Sequence, residues 1–193
     1  MQATQRWKAG SMRRHPDFAL HKLRGIPSRS IQALKAVSPN TKISFAYHIQ
    51  QSVFEDAYAK YGFDSDTVQN SPINIDLLAN REAGDFGYLG RALKKPWDTD
   101  RAIWQDMKAL GVDSIFVGHE HCNSASVVYE GVRFQFGQKS STYDRANYVL
   151  SDGTIVGSYY EKNGTPLVGG SVIPLSKEDG SIQNPYLYLC QNT

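Results

Sequence analysis

Cysteine is scarce, long apolar runs are missing and the charges nearly cancel, and each of these absences removes a class of protein. Cys122 and Cys190 are too few for a disulfide framework. Cys122 reads as a small packing residue, with a soft-ligand role as its alternative. No window approaches the roughly 18 to 20 apolar residues of a membrane helix. The first residues also lack the apolar core of about seven residues that a secretory signal needs. The sequence thus shows neither a membrane span nor a signal peptide, and localisation stays open. A formal charge of +2 over 193 residues gives no general attraction to nucleic acid.

That charge is unevenly placed. Arg6, Lys8, Arg13, Arg14, Lys22, Arg24 and Arg29 face only Asp17 in residues 1–30, a balance of +6 that leaves −4 for the rest. A basic arm of this kind can bind phosphate-rich partners. Here its aromatics are limited to Trp7 and Phe18, with no apolar periodicity and no nucleic-acid motif, so residues 1–25 read as a solvated, poorly ordered leader. Residues 26–193 are long enough for one domain with a sizeable core.

What the sequence does have is concentrated in Val112 to Asn123, VDSIFVGHEHCN. Ser114 to Val117 is short, β-branched and aromatic, and follows a helix-ending Gly111. It reads as an inner strand of a sheet covered on both faces. The chain then turns at Gly118 and delivers His119 and His121. Two imidazoles one residue apart past a strand end can converge on a cation, and nitrogen donors suit zinc, iron or manganese. An isolated HxH triplet is more often two ordinary loop histidines. A second strand pattern changes the weighing. Lys42 to Ile49, KISFAYHI, sets Ile43, Phe45 and Tyr47 on one face and also ends in a histidine, His48. If the two strands run parallel, joined by the crossover such pairs need, His48, His119 and His121 meet at one carboxyl edge. Open α/β sheets hold their chemistry at that edge.

The remaining elements are conventional. Ser30 to Ser38 reads as a short helix capped by Ser28 or Ser30, with Ile31, Leu34 and Val37 on one face. Val53, Phe54, Ala57, Tyr58 and Tyr61 form a helical core stripe closed by Gly62. Phe63 to Asp98 has no sustained period and reads as a long loop with brief turns. Thr99 to Leu110 is an amphipathic helix, capped by Asp98 or Thr99, with Ile103, Trp104, Met107 and Leu110 inward. Hairpins follow: Ser126–Tyr129 and Val132–Phe136 around Glu130-Gly131, then Tyr148–Leu150 and Thr154–Tyr160 around Asp152-Gly153. Asn163-Gly164 marks a further turn, with strands near Val172–Leu175 and Tyr186–Cys190.

This order of strand, histidine, helix-bearing excursion, strand, GHxH and hairpins resembles the C-terminal half of a calcineurin-like metallophosphoesterase, the superfamily that includes purple acid phosphatases. The resemblance runs over about Ile26 to Tyr143. Gln32 to Tyr61 is similar to the family's helix, strand, histidine and following helix, and Phe116 to Tyr143 to its GHDH-type strand and hairpin. The resemblance implies an α/β (α+β) fold, part of a four-layer αββα β-sandwich with C-terminal β-hairpins, and a metal-dependent phosphoester hydrolase (phosphatase or phosphodiesterase). It puts His48 and His119 on one ion and His121 on a second. It also brings Asn80, Arg81 and Glu82 of the long loop, and Lys139 and Tyr143 of the loop after the hairpin, towards a phosphoester substrate. From the residues alone, surface salt bridges and a solvated loop account for these five more simply.

The family's DxH, GDxxD and GNH(E/D) motifs, which supply the remaining ligands, the bridging aspartate and the catalytic histidine, do not occur in this sequence. Asp17 and His21 have the wrong spacing, and Gly84-Asp85 follows His48 and lacks the second aspartate. Residues 26–193 are therefore expected to be the C-terminal part of such a domain, from a truncated, split or degenerate product, weakly active or inactive alone. Its expected cofactors are divalent zinc, manganese or iron ions: two, one or none. Its expected partners are a phosphoester small molecule and an N-terminal half chain, with neither nucleic acid nor membrane. Exposed apolar surface and an unpaired sheet edge predict a homo-oligomer or poor solubility. The alternative is a degenerate, non-catalytic metal-binding or interaction module. A third reading is a mononuclear zinc protein using the same three histidines.

Overall fold

The computed structural model describes residues 29–68, 70–93, 100–140, 147–149, 151–157, 161–162, 165–166 and 168–190. The chain divides into two units, Met1–Pro39 and Asn40–Thr193. The described part of the first unit is helix α1 over 29–37, and the Ser38 N–H donates to the Leu34 carbonyl at 2.8 Å just before Pro39. Of the expected apolar stripe of α1, Leu34 and Val37 are exposed.

The second unit runs β1 (Ser44–Tyr47), α2 (Val53–Ala59), β2 (Ile73–Asn74), a single 3-10 turn (Ile75–Leu77), β3 (Tyr88–Leu89) and α3 (Asp100–Ala109). It continues β4 (Ser114–Val117), β5 (Ser126–Tyr129), β6 (Val132–Phe136), β7 (Asn147–Val149) and β8 (Ile155–Gly157). The last strands are β9 (Glu161–Lys162), β10 (Thr165–Pro166), β11 (Gly169–Val172) and β12 (Tyr186–Leu189). This is a mixed α/β fold: a four-stranded sheet ordered β1-β4-β6-β5, with small antiparallel pairs and few helices.

Short runs of β-branched and aromatic residues make the sheet, and register decides what each face carries. β1 pairs in parallel with β4, Tyr47 opposite Val117, as the two histidine-ended strands were expected to do. β4 pairs in parallel with β6, and β5 returns antiparallel through the Glu130-Gly131 turn. Both turn residues have positive φ, 49° and 79°, which a two-residue connection needs to match strand twist. The pleat then gathers Ile115, Val117, Val127, Phe134 and Phe136 on one face, all buried.

Both central helices pack there. Phe54 of α2 meets Phe134 and Phe136 at ring centroid distances of 5.1 and 5.3 Å, and Tyr58 stacks on Phe136 at 5.9 Å. Trp104 of α3 meets Phe134 at 5.2 Å. Burial and the charge of Asp85 push the Tyr58 hydroxyl pKa up, and the neutral hydroxyl donates to the Ala125 carbonyl at 3.0 Å. The opposite face is buried at Ser114, Ser126 and Gln135, as a strand covered on both faces requires, and it mixes Ala46, Phe116 and Val128 with hydrogen-bonded polar groups. Ser44 and Ser114 hydroxyls lie 2.6 Å apart, Arg133 donates to Ser126 Oγ at 2.9 Å, and Ser126 donates to Gln135 at 3.2 Å.

The stretch read as a loop, Phe63 to Asp98, holds more pairing than its sequence shows. Phe86 and Leu89 bridge to Ser126 and Asn123, so this segment runs beside β5. Gly87 permits the approach: its φ is 92°, and a Cβ there would come within 2.5 Å of the Ser124 carbonyl oxygen. Asp85 pins the same segment. It accepts from Tyr61 Oη at 2.8 Å and from the Val128 N–H at 2.9 Å, and pairs with Lys60 at 2.6 Å.

Beyond residue 140 the expected second sheet is replaced, among the described residues, by separate two-stranded pairs: β7 with β8, β9 with β10, β11 with β12. Strands of two to four residues, interrupted by glycines and Pro166, do not sustain a continuous ladder. Val149 pairs with Ile155, so the Asp152-Gly153 connection is longer than the two residues expected, and its Thr154 N–H donates to Asp152 at 2.9 Å. The Asn163-Gly164 turn lies outside the described residues.

Candidate metal centre

The parallel ladder that joins β1 to β4 continues one step past both strands. The Gly118 N–H donates to the His48 carbonyl at 3.0 Å, which sets the two chains side by side at the carboxyl edge. The chain then reverses, but not at Gly118. The left-handed residue is His119, with φ 68°, and the Glu120 N–H donates back to the Gly118 carbonyl at 2.8 Å across it. This is a γ-turn of the rarer, strained hand. Gly118 is not required for space either, since a Cβ there would stand 3.5 Å from His48 Nδ1 in ordinary contact.

The reversal swings the His119 ring onto His48. Nδ1 of His119 lies 3.2 Å from Nε2 of His48, with the rings edge-on at 86° and centroids 5.0 Å apart. Two nitrogens each ~2.0 to 2.1 Å from one tetrahedral zinc ion stand roughly 3.3 Å apart. The observed separation fits adjacent ligands of a single cation. His121, two residues on, is exposed. Among the described residues no group of three or more histidine, cysteine, aspartate or glutamate side chains is placed to hold one ion. The structure thus brings together two of the three histidines.

Two residues that the sequence reading passed over shape this turn. Glu120, treated there as a spacer, is buried, and its Oε1 lies 3.9 Å from His119 Nε2. Asn123 is fully enclosed: its Oδ1 accepts from the Gly90 and Arg91 N–H groups at 3.0 and 3.1 Å, and its Nδ2 donates to the Arg91 carbonyl at 3.1 Å. The Asn123 N–H donates to the Glu120 carbonyl at 3.0 Å, so the turn is tied to the segment beside β5. Cys122 is buried and forms no disulfide, in keeping with packing.

The substrate candidates divide by edge. Lys139 is buried two residues beyond Gly137, whose N–H continues the β4–β6 ladder by donating to the Val117 carbonyl at 2.8 Å. Lys139 therefore lies beyond the same carboxyl edge as His48 and His119. Asn80, Arg81 and Glu82 are exposed and belong elsewhere. Arg81 pairs with Asp76 at 2.9 Å and Glu82 with Lys60 at 2.8 Å. Lys60 also donates to the Val128 carbonyl at 2.9 Å, and Val128 lies opposite Arg133, which stands opposite Ser114 at the amino end of β4. Arg81 and Glu82 are surface ion-pair residues at the other edge of the sheet, where Lys60 and Asp85 hold the segment. Tyr143 lies outside the described residues. No family model, curated protein or solved structure matches the chain.

Proposed function

We propose that this chain supplies the histidine side of a metal-dependent phosphoester hydrolase centre of the calcineurin-like metallophosphoesterase kind. The observation that carries the reading is the delivery of His48 and His119 from the ends of two parallel strands, nitrogens 3.2 Å apart. In this reading the four-stranded sheet and its two helices are one sheet-and-helix half of an αββα sandwich. His48 and His119 hold one ion, zinc, manganese or iron, and His121 serves a second. When bound, such ions polarise phosphoryl oxygens and lower the pKa of a coordinated water. In the same reading Lys139, which follows β6 beyond that edge, offers a cation to the phosphoester.

Three neutral imidazoles bring no negative charge to offset two dications, and the bridging aspartate is absent from this sequence. Hydrolysis then needs carboxylate ligands from a second segment, an N-terminal half chain. The second reading, a non-catalytic metal-binding module, keeps the His48 and His119 pair and does without those carboxylates. Zinc and manganese titrations of the full chain, with an aryl phosphate assay on the same samples, test both. The proposal expects weak binding lost in His48→Ala and His119→Ala, and negligible turnover by the chain alone. Binding unchanged in both variants would remove the metal site, and a monomer that turns over substrate and loses activity in His119→Ala would show that no second segment is needed.

A further inference from the structure

Glu120 carries a carboxylate that is only 7% exposed, in the turn between His119 and His121. Its place is fixed by its backbone. The N–H is taken by the Gly118 carbonyl and the carbonyl by the Asn123 N–H, at 2.8 and 3.0 Å. From there Oε1 lies 3.9 Å from His119 Nε2, while Nδ1 of the same ring faces His48 at 3.2 Å. The two ring nitrogens of His119 thus look in different directions, one at a carboxylate and one at a second imidazole.

A neutral imidazole carries one proton, on either nitrogen. With the proton on Nδ1, the edge facing His48 is a donor and has no lone pair for a cation. With the proton on Nε2, the N–H points at the carboxylate and the Nδ1 lone pair is free on the His48 side. At 3.9 Å the Glu120 contact is longer than a direct hydrogen bond. A carboxylate at that distance still favours the tautomer that puts a proton on the near nitrogen. The partner of a histidine's other nitrogen sets which nitrogen ligates.

We propose that Glu120 is a positioning residue: it holds His119 as the Nε2–H tautomer, so that Nδ1 joins His48 Nε2 in facing a divalent cation. The cation part rests on reading His48 and His119 as a ligand pair, whereas the tautomer part does not.

The test uses the full chain labelled with 15N-histidine, free of metal, with the His119 signals assigned by their loss in His119→Ala. Long-range 1H–15N spectra should show His119 protonated on Nε2. Glu120→Ala should shift it towards a mixture of tautomers, and Glu120→Gln, which keeps an acceptor oxygen, should restore part of the preference. Competition with a chromophoric chelator should show zinc affinity falling about 10- to 100-fold in Glu120→Ala, and less in Glu120→Gln. Wild-type His119 protonated on Nδ1 would overturn the proposal, and this needs no variant to fold. A tautomer ratio unchanged in Glu120→Ala would overturn it as well. Wild-type protein that binds no zinc, but shows the Nε2–H tautomer and its loss in Glu120→Ala, would remove the metal reading and leave Glu120 as the residue that orients the ring.

Discussion

His119 meets two demands that oppose each other: its ring must reach His48, and its backbone must take a left-handed φ that a side chain disfavours. Strain of this kind, roughly 1 to 2 kcal/mol for a non-glycine residue, persists where the surroundings enforce it, and it gathers at functional sites. Replacing His119 by glycine should remove the strain and keep the turn. We expect His119→Gly to raise the unfolding free energy in urea by about 1 kcal/mol while zinc binding is lost. A variant destabilised by more than that amount would show that the ring holds the turn together, and the strain reading would fail. The sequence let His48 and His119 be named because both end runs of β-branched and aromatic residues, which is a local signal. It did not show which of Gly118 and His119 turns, because glycine is the default reading at a reversal and the pairing that forces the choice comes from Tyr47 and His48, about 70 residues away. Glu120 and Asn123 were hidden for the same reason, since only the folded turn sends their side chains inward.

Elements whose signal is local were legible, and those made by distant pairing were not. Helix α2 follows its stripe, with Val53, Phe54, Ala57 and Tyr58 buried and Gly62 at φ 80° beyond its end. The β5–β6 hairpin follows its Glu130-Gly131 turn. By contrast β2 and β3 are two residues each and pair with one another, with Leu89 also bridged to Asn123, too short for any period to show. What holds their segment is the buried carboxylate of Asp85, which ties the end of α2 to β5. Burial pulls the Lys60 ammonium pKa down, but hydrogen bonds to Asp85 and Glu82 outweigh it, and the net shift is upward. Asp85→Ala would leave the Val128 N–H, Tyr61 Oη and Lys60 without that acceptor. Removing one partner of a buried pair costs about 3 to 5 kcal/mol, and because Lys60 is partly exposed the lower end, about 3 kcal/mol, is expected in urea unfolding. A loss below about 1 kcal/mol, the net value of an ordinary hydrogen bond, would mean that the segment beside β5 is held by its backbone bridges alone.

Within the second unit, the carboxyl edge of the sheet brings His48 and His119 together, and the amino edge carries the ion pairs of Lys60 with Asp85 and Glu82. Parallel pairing of β1, β4 and β6 puts three strand ends in a row, and their next residues are His48, Gly118 and Gly137. That parallel arrangement was the condition on which the histidine reading depended. Arg81 and Glu82 went the other way because Lys60 and Asp85 hold their segment at the amino end of the strands, a placement no local pattern encodes. The central claim is that His48 and His119 hold one ion between them. Crystals of the full chain grown with zinc, measured at the zinc absorption edge, test it directly. The account predicts an anomalous peak ~2.0 to 2.1 Å from both His48 Nε2 and His119 Nδ1. Zinc bound only at His121, with the His48 and His119 rings still in contact with each other, would contradict it.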